Sequence, residues 1–163
     1  MRIDAASPAS VAAVAQAMRA ADVREFMALA PARDRVELAE NLVSQWGHSE
    51  HAICASDETG PVSIGAMVPG RRNVVTLLFF ATDRFPGIAI DLTRFVTRRL
   101  FPRYRERGVH RMECVSIAGH EAAHRWIQLL GLEREAEMPG YGQGGETFLQ
   151  FAWVSDAVRS PDA

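Results

Sequence analysis

The sequence contains no lysine, so all 18 of its cationic side chains are arginine. A replacement this complete reads as a habit of genome composition rather than as chemistry. Cysteine is nearly as scarce. Cys54 and Cys114 each stand alone in an apolar, strand-like segment, and neither belongs to a Cys-x-x-Cys pair. That excludes a disulfide-stapled scaffold, gives no zinc or redox signature, and leads us to expect two buried free thiols. Long hydrophobic runs are missing too: nothing approaches the ~20 apolar residues that cross a bilayer. The uncharged stretch at residues 59–70 is broken by three glycines and two prolines. The N-terminal residues carry Arg2, Asp4 and an alanine-rich stretch interrupted by Ser7-Pro8, without the compact apolar centre of a signal peptide. The expectation is a cytoplasmic protein with no membrane partner.

The 163 residues suit one domain, with 48% hydrophobic and 23% charged residues, both ordinary for a soluble globular chain. A chain of this length buries about two thirds of its unfolded surface and needs neither metal nor disulfide to hold a core. The net charge of −2 conceals an asymmetry. Residues 84–111 hold eight arginines against only Asp91 and Glu106, a local +6 that leaves −8 for the remainder. A basic stretch inside an acidic chain can meet an anionic ligand, most simply phosphate, or can be a solvated helix face.

Along the chain, residues 2–6 suit a short strand. Ser7 followed by Pro8 is a helix start, with Val11, Val14, Ala15 and Met18 on one face. Residues 22–29 suit a short helix, and residues 34–46 a longer one with Leu38, Ala39, Leu42, Val43 and Trp46 inward. Strands are predicted at residues 51–56, 62–68 and 73–82, the last buried on both faces. A basic helix is predicted over residues 86–107, kinked or ended by Pro102. A strand at 109–117, a helix at 120–130 stopped by Gly131, and strands at 132–138 and 147–154 complete the order. Residues 156–163 read as a flexible tail. Helices interleave with strands only in the second half, which argues for a mixed sheet covered by helices rather than a doubly wound parallel one.

The most informative segment is the strand-to-helix junction Thr82-Asp83-Arg84-Phe85-Pro86-Gly87-Ile88-Ala89. Such a junction presents backbone N–H groups at the positive end of a helix dipole, and Gly87 and the small Ala89 let an anion approach. Here the chain resembles the GNAT superfamily of acyl-CoA-dependent N-acetyltransferases, whose pyrophosphate loop reads Arg/Gln-x-x-Gly-x-Gly/Ala; Arg84 to Ala89 fits it. Residues 108–115 look like that family's fifth strand, and residues 120–132, ending Leu129-Leu130-Gly131-Leu132, like its last helix and the turn after it.

The resemblance implies a single α/β domain over residues 1–155, of α+β type. It would have a mixed, mostly antiparallel sheet of six or seven strands and about four helices. It implies transfer of an acetyl group from acetyl-CoA to an unidentified amine. Strands four and five would splay to admit the pantetheine. Arg84, Phe85, Gly87, Ile88 and Ala89 would cradle the pyrophosphate, and backbone at Phe80 and Thr82 would meet the pantetheine and polarise the thioester carbonyl.

Several positions depart from the pattern. Pro86 removes one N–H from the cradle, and no carboxylate occurs from residue 59 through residue 82. His120 stands where the family often has Asn, and Ile127 where many members have a Tyr acid. Glu113 and His120 are left as the candidates for proton transfer. The departures suit an alternative, a non-catalytic GNAT-like assembly protein of the kind carried inside phage particles, located in the virion. His120-Glu121-Ala122-Ala123-His124 also matches the His-Glu-x-x-His pattern of zinc hydrolases. Gly119 places it at a helix start, a third ligand is missing nearby apart from Glu146, and no metal is expected. Nucleic acid is not an expected partner either, since no helix-turn-helix, zinc finger or aromatic-interleaved sheet accompanies the arginines. Neither the acceptor nor the oligomeric state can be read from these residues.

Overall fold

A computed structural model describes residues 1–159. Seven strands form one mixed sheet in the order β1-β2-β3-β4-β5-β7-β6. They are β1 (Arg2–Ala5), β2 (Ala52–Asp57), β3 (Gly60–Arg71), β4 (Val74–Ala81), β5 (Arg111–Ile117), β6 (Glu133–Met138) and β7 (Phe148–Val154). The helices are α1 (Pro8–Gln16), α2 (Ala20–Met27), α3 (Arg35–Trp46), α4 (Ala89–Phe95), α5 (Phe101–Glu106), α6 (Glu121–Leu129) and α7 (Asp156–Arg159). The expected α/β class with a mostly antiparallel sheet is what the chain adopts. The seven helices exceed the expected number of about four, in part because the basic helix is subdivided and residues 156–159 of the anticipated tail are helical. Residues 160–163 of that tail lie outside the described residues.

Local chemistry explains the boundaries. Ser7 caps α1, its hydroxyl accepting from the Ser10 N–H while the Ser10 hydroxyl accepts from the Ser7 N–H, and Pro8 fills the first turn, where no N–H is needed. The Asp34 carboxylate caps α3 by accepting from the Val36 and Glu37 N–H groups. Asn73 takes the left-handed conformation (φ 61°) in the turn from β3 to β4, which asparagine tolerates better than most side chains.

The basic helix shows what Pro102 does. Pro102 has no N–H to give the carbonyl four residues back, and the chain widens into a π-turn at Val96–Leu100, closed by the Phe101 N–H bonding to the Val96 carbonyl. The helix is re-phased and continues as α5 instead of ending.

The chain divides into two compact units. One comprises Met1–Met67 and Leu78–Leu92, the other Val68–Leu77 and the described residues from Thr93 onward. The first packs α1 on α3 and centres on Val11, Val14, Leu38, Val62, Ile64 and Phe80, all essentially without solvent exposure. The second is built on β5, flanked by β7 in an antiparallel ladder from Arg111↔Val154 to Ile117↔Phe148, with β6 outside β7. Its core holds Met112, Phe101, Leu132, Phe148 and Phe151. The one short parallel ladder joins Val74, Val75 and Thr76 of β4 to Arg111, Met112 and Glu113 of β5. Cys54 and Cys114 are buried free thiols, as their apolar settings suggest. Among the described residues no helix is long and apolar enough to cross a membrane.

Candidate functional site

The segment from Ala81 to Ala89 leaves the end of β4 and enters α4 through a single 3-10 turn at Phe85–Gly87. Its backbone is tightly organised. The Phe85 N–H donates to the Thr82 carbonyl, the Gly87 N–H to the Arg84 carbonyl and the Ile88 N–H to the Phe85 carbonyl. Phe85 and Ile88 are buried, whereas Pro86 and Gly87 face solvent. A Cβ added at Gly87 would meet no atom within 4 Å, so the outer side of this turn is open space. Ala89 opens α4 and is half-buried.

Arg84 does not point outward as a free cation. Its guanidinium donates to both carboxylate oxygens of Asp57 (2.5 and 2.6 Å), to the Thr59 hydroxyl and to the Pro61 carbonyl (2.6 Å). The side chain thus fastens the loop to the β2–β3 turn, and its charge is spent on Asp57. Its backbone N–H donates to the Thr82 hydroxyl at 3.3 Å. An open depression of about 380 Å³ lies beside this contact, lined by Ala13, Ala17, Thr59, Pro61 and residues 82–84.

The strand end preceding the loop is also engaged. The Thr82 N–H donates to the Val62 carbonyl of β3. On the opposite strand edge, the Ala81 N–H donates to the carboxylate of Asp22 at 2.8 Å, and the Ala81 carbonyl accepts from the Arg19 N–H. Backbone contacts for a ligand were expected from Phe80 and Thr82, but the Thr82 amide is committed to the sheet. Phe80 is fully buried with its ring edge-on to Phe26, centroids 5.5 Å apart.

Asp22 is the functional-looking residue that sequence reading missed. Its carboxylate is 3% exposed and forms a forked pair with Arg19 (2.8–3.0 Å). The Arg19 guanidinium in turn lies over the Phe85 ring, 5.1 Å from its centroid, and Phe85 packs edge-on against Phe79. One carboxylate therefore clamps the end of β4 and, through Arg19, the first residue of the 3-10 turn. The i,i+3 spacing of Arg19 and Asp22 was the available signal, yet the partner amide lies 59 residues away.

The two proton-transfer candidates have other occupations. Glu113 accepts from Arg71 (3.1 Å) and from Arg111 (2.5 Å), while Arg111 also forks onto Glu135. Hydrogen bonds that it donates to Glu135 first, and to Glu113, hold the Arg111 guanidinium's pKa above its usual value. Both carboxylate oxygens of Glu113 are thus engaged by guanidiniums within its own unit. His120 is a buried residue at the start of α6, its N–H donating to the Ile117 carbonyl. His124 meets the same carbonyl through Nε2 at 3.1 Å. Among the described residues no group of three or more His, Cys, Asp or Glu is placed to hold a metal.

No protein-family profile matches the sequence, and no curated protein is significantly similar to it. Solved structures match strongly. A ribosomal-protein-alanine N-acetyltransferase from Brucella melitensis superposes with TM-score 0.70 at 21% identity, over 95% of this chain and 100% of that one. The Salmonella typhimurium protein yncA, solved with its cofactor acetyl-CoA, gives 0.66 at 19% identity over 99% and 98%. A spermidine N-acetyltransferase from Vibrio cholerae gives 0.67 at 11% identity over 94% and 96%. The chain has the GNAT fold.

The Arg84–Asp57 contact of this GNAT-fold chain carries its own pH signature. The Asp57 pKa lies below its ordinary 3.8, held down by hydrogen bonds from the Thr59 hydroxyl first, then from the Thr59 N–H and Arg84. A depressed folded-state pKa stabilises the fold above the unfolded value and loses that contribution as pH falls through the folded value. The stability gap between the native protein and Asp57→Asn is therefore expected to narrow as pH falls below the ordinary 3.8. Urea denaturation at stepped pH checks this; a gap that widened on acidification would contradict it.

Proposed function

We propose that this protein is an acetyl-CoA-dependent N-acetyltransferase acting on an amine acceptor. The observation that carries the reading is chain-long likeness to N-acetyltransferases, one of them holding acetyl-CoA, combined with Arg84-Phe85-Pro86-Gly87-Ile88-Ala89 at the junction of β4 and α4. Loop residues 84–89 would receive the pyrophosphate on the open outer side at Gly87, near the positive end of α4. The amides of Phe85, Gly87 and Ile88 would share or exchange their internal bonds, at about 1 kcal/mol each, for charge-assisted bonds to phosphate. The pantetheine would follow the backbone at the end of β4. The amine nitrogen would attack the thioester carbonyl carbon, forming the amide as the C–S bond breaks and the thiol leaves.

The engagement of Glu113 by two arginines argues that it is not the base in such a reaction. Glu113→Gln is expected to keep turnover within about threefold, whereas loss of a general base costs roughly 10²–10⁴-fold.

The second reading is a GNAT-fold protein without catalysis, serving assembly. It is favoured by one feature, the spent charge of Arg84 together with a loop whose amides close on themselves. Release of free thiol from acetyl-CoA, followed with a panel containing spermidine and a peptide with N-terminal alanine, separates the two. The first reading expects amine-dependent release with at least one acceptor. Acetyl-CoA bound with no release across the panel would move the assignment to the second.

A further inference from the structure

The proposed reaction leaves Asp57 without a part, although the first residue of the Arg84–Ala89 loop is fastened to it. Asp57 ends β2, and Thr59 follows it in the turn to β3. This turn has bonds of its own. The Asp57 carboxylate accepts from the Thr59 N–H at 2.8 Å and from the Thr59 hydroxyl at 2.7 Å, which fixes its orientation. Gly60 takes φ 130°, a conformation open to glycine, and carries the chain into β3. Asp57, Thr59 and the Pro61 carbonyl together form a socket, and all of the acceptors in it bond the Arg84 guanidinium.

An ion pair with 41% and 27% side-chain exposure adds little to global stability, so its effect is local. The main chain of Arg84 is bonded on both sides. Its N–H donates to the Thr82 hydroxyl, and its carbonyl accepts the Gly87 N–H. The socket therefore holds, through one residue, the turn whose outer side is open at Gly87. Every residue in this chain of contacts belongs to the first unit. Charge argues that the contact stays closed when an anion arrives. Releasing Arg84 to a phosphate would strand the Asp57 carboxylate beside a like charge. Kept closed, the pair has no net charge, and what it contributes is order: a loop already fixed loses less freedom on binding.

We propose that Asp57, supported by Thr59, is a positioning residue for the anion-binding loop. It acts through Arg84 to hold residues 84–87 in the form that receives the pyrophosphate. The inference rests on the transferase reading for its ligand. It makes Arg84 a tether for the loop, with its main chain rather than its charge serving the ligand.

The double variant Asp57→Ala/Arg84→Met tests this, because removing both charges leaves the net charge unchanged and breaks only the tether. Its affinity for acetyl-CoA, by titration calorimetry, is expected to be about tenfold weaker than native, equivalent to ordering roughly one more residue of backbone on binding. Thr59→Val trims the socket without altering any charge and is expected to weaken binding in the same direction. Amide hydrogen exchange followed by NMR needs no ligand. The Phe85, Gly87 and Ile88 amides are expected to exchange at least about tenfold faster in the double variant, while those of residues 38–42 in α3 keep their native rates. Native affinity, native loop exchange, or equal acceleration in α3 would each overturn the proposal. So would tighter binding by Asp57→Ala alone, which would show that a freed Arg84 serves phosphate directly. A native chain that binds no acetyl-CoA defeats the transferase reading instead, and the exchange comparison then decides whether Asp57 orders the loop.

Discussion

Asp22→Ala is expected to lower the unfolding free energy by about 3 kcal/mol, the low end of the range for removing one partner of a buried ion pair. The carboxylate does three things in the native chain. It balances Arg19, accepts the Ala81 N–H and joins α2 to the end of β4. Its removal leaves the Ala81 amide without its acceptor and Arg19 without its countercharge. Arg19 retains 18% side-chain exposure and so keeps some access to water, which is why the low end applies. Asp22→Asn keeps an oxygen for the Ala81 amide and is expected to lose less. Denaturant midpoints for the three proteins check the order. A loss below about 1 kcal/mol for the alanine variant would show that the clamp is incidental.

Gly87→Glu is expected to remove acetyl-CoA binding while leaving the fold intact. Gly87 does not have a positive φ, and an added Cβ meets nothing within 4 Å, so the side chain enters open space without strain. It would bring a carboxylate to the place proposed for the pyrophosphate. Like charges about 4 Å apart at an effective dielectric near 20 repel by roughly 4 kcal/mol, a loss of about a thousandfold in affinity. Titration calorimetry with a circular-dichroism melt on the same sample checks both halves. Undiminished binding in the folded variant would remove the ligand from this loop.

Much of the architecture was legible because it is written in local signals. Ser7-Pro8, the Asp34 cap, alternating and continuous apolar runs in the strands, and Gly131 after α6 each act within a few residues of themselves. The junction at residues 82–89 could be placed for the same reason: a buried strand stops and an amphipathic helix begins. What was not legible depends on partners brought together by folding. Arg84 reads as a free phosphate ligand until Asp57, 27 residues earlier, folds against it. Glu113 reads as a candidate base until Arg71 and Arg111 close on it. Asp22 reads as an ordinary first-turn acid of α2, yet it is buried there because the Ala81 amide and Arg19 satisfy it. The π-turn lies one step further off. Pro102 announces a disturbance of the helix, but not that it takes the form of a widened turn closed from the Phe101 N–H to the Val96 carbonyl, with both side chains buried.

A transferase of this fold must take the acyl donor. Calorimetric titration of the native protein with acetyl-CoA tests it most directly. Saturable binding with one site per chain is the expected result. A folded protein that shows no saturable binding up to millimolar acetyl-CoA, corresponding to less than about 4 kcal/mol of binding free energy, would contradict the proposed transferase.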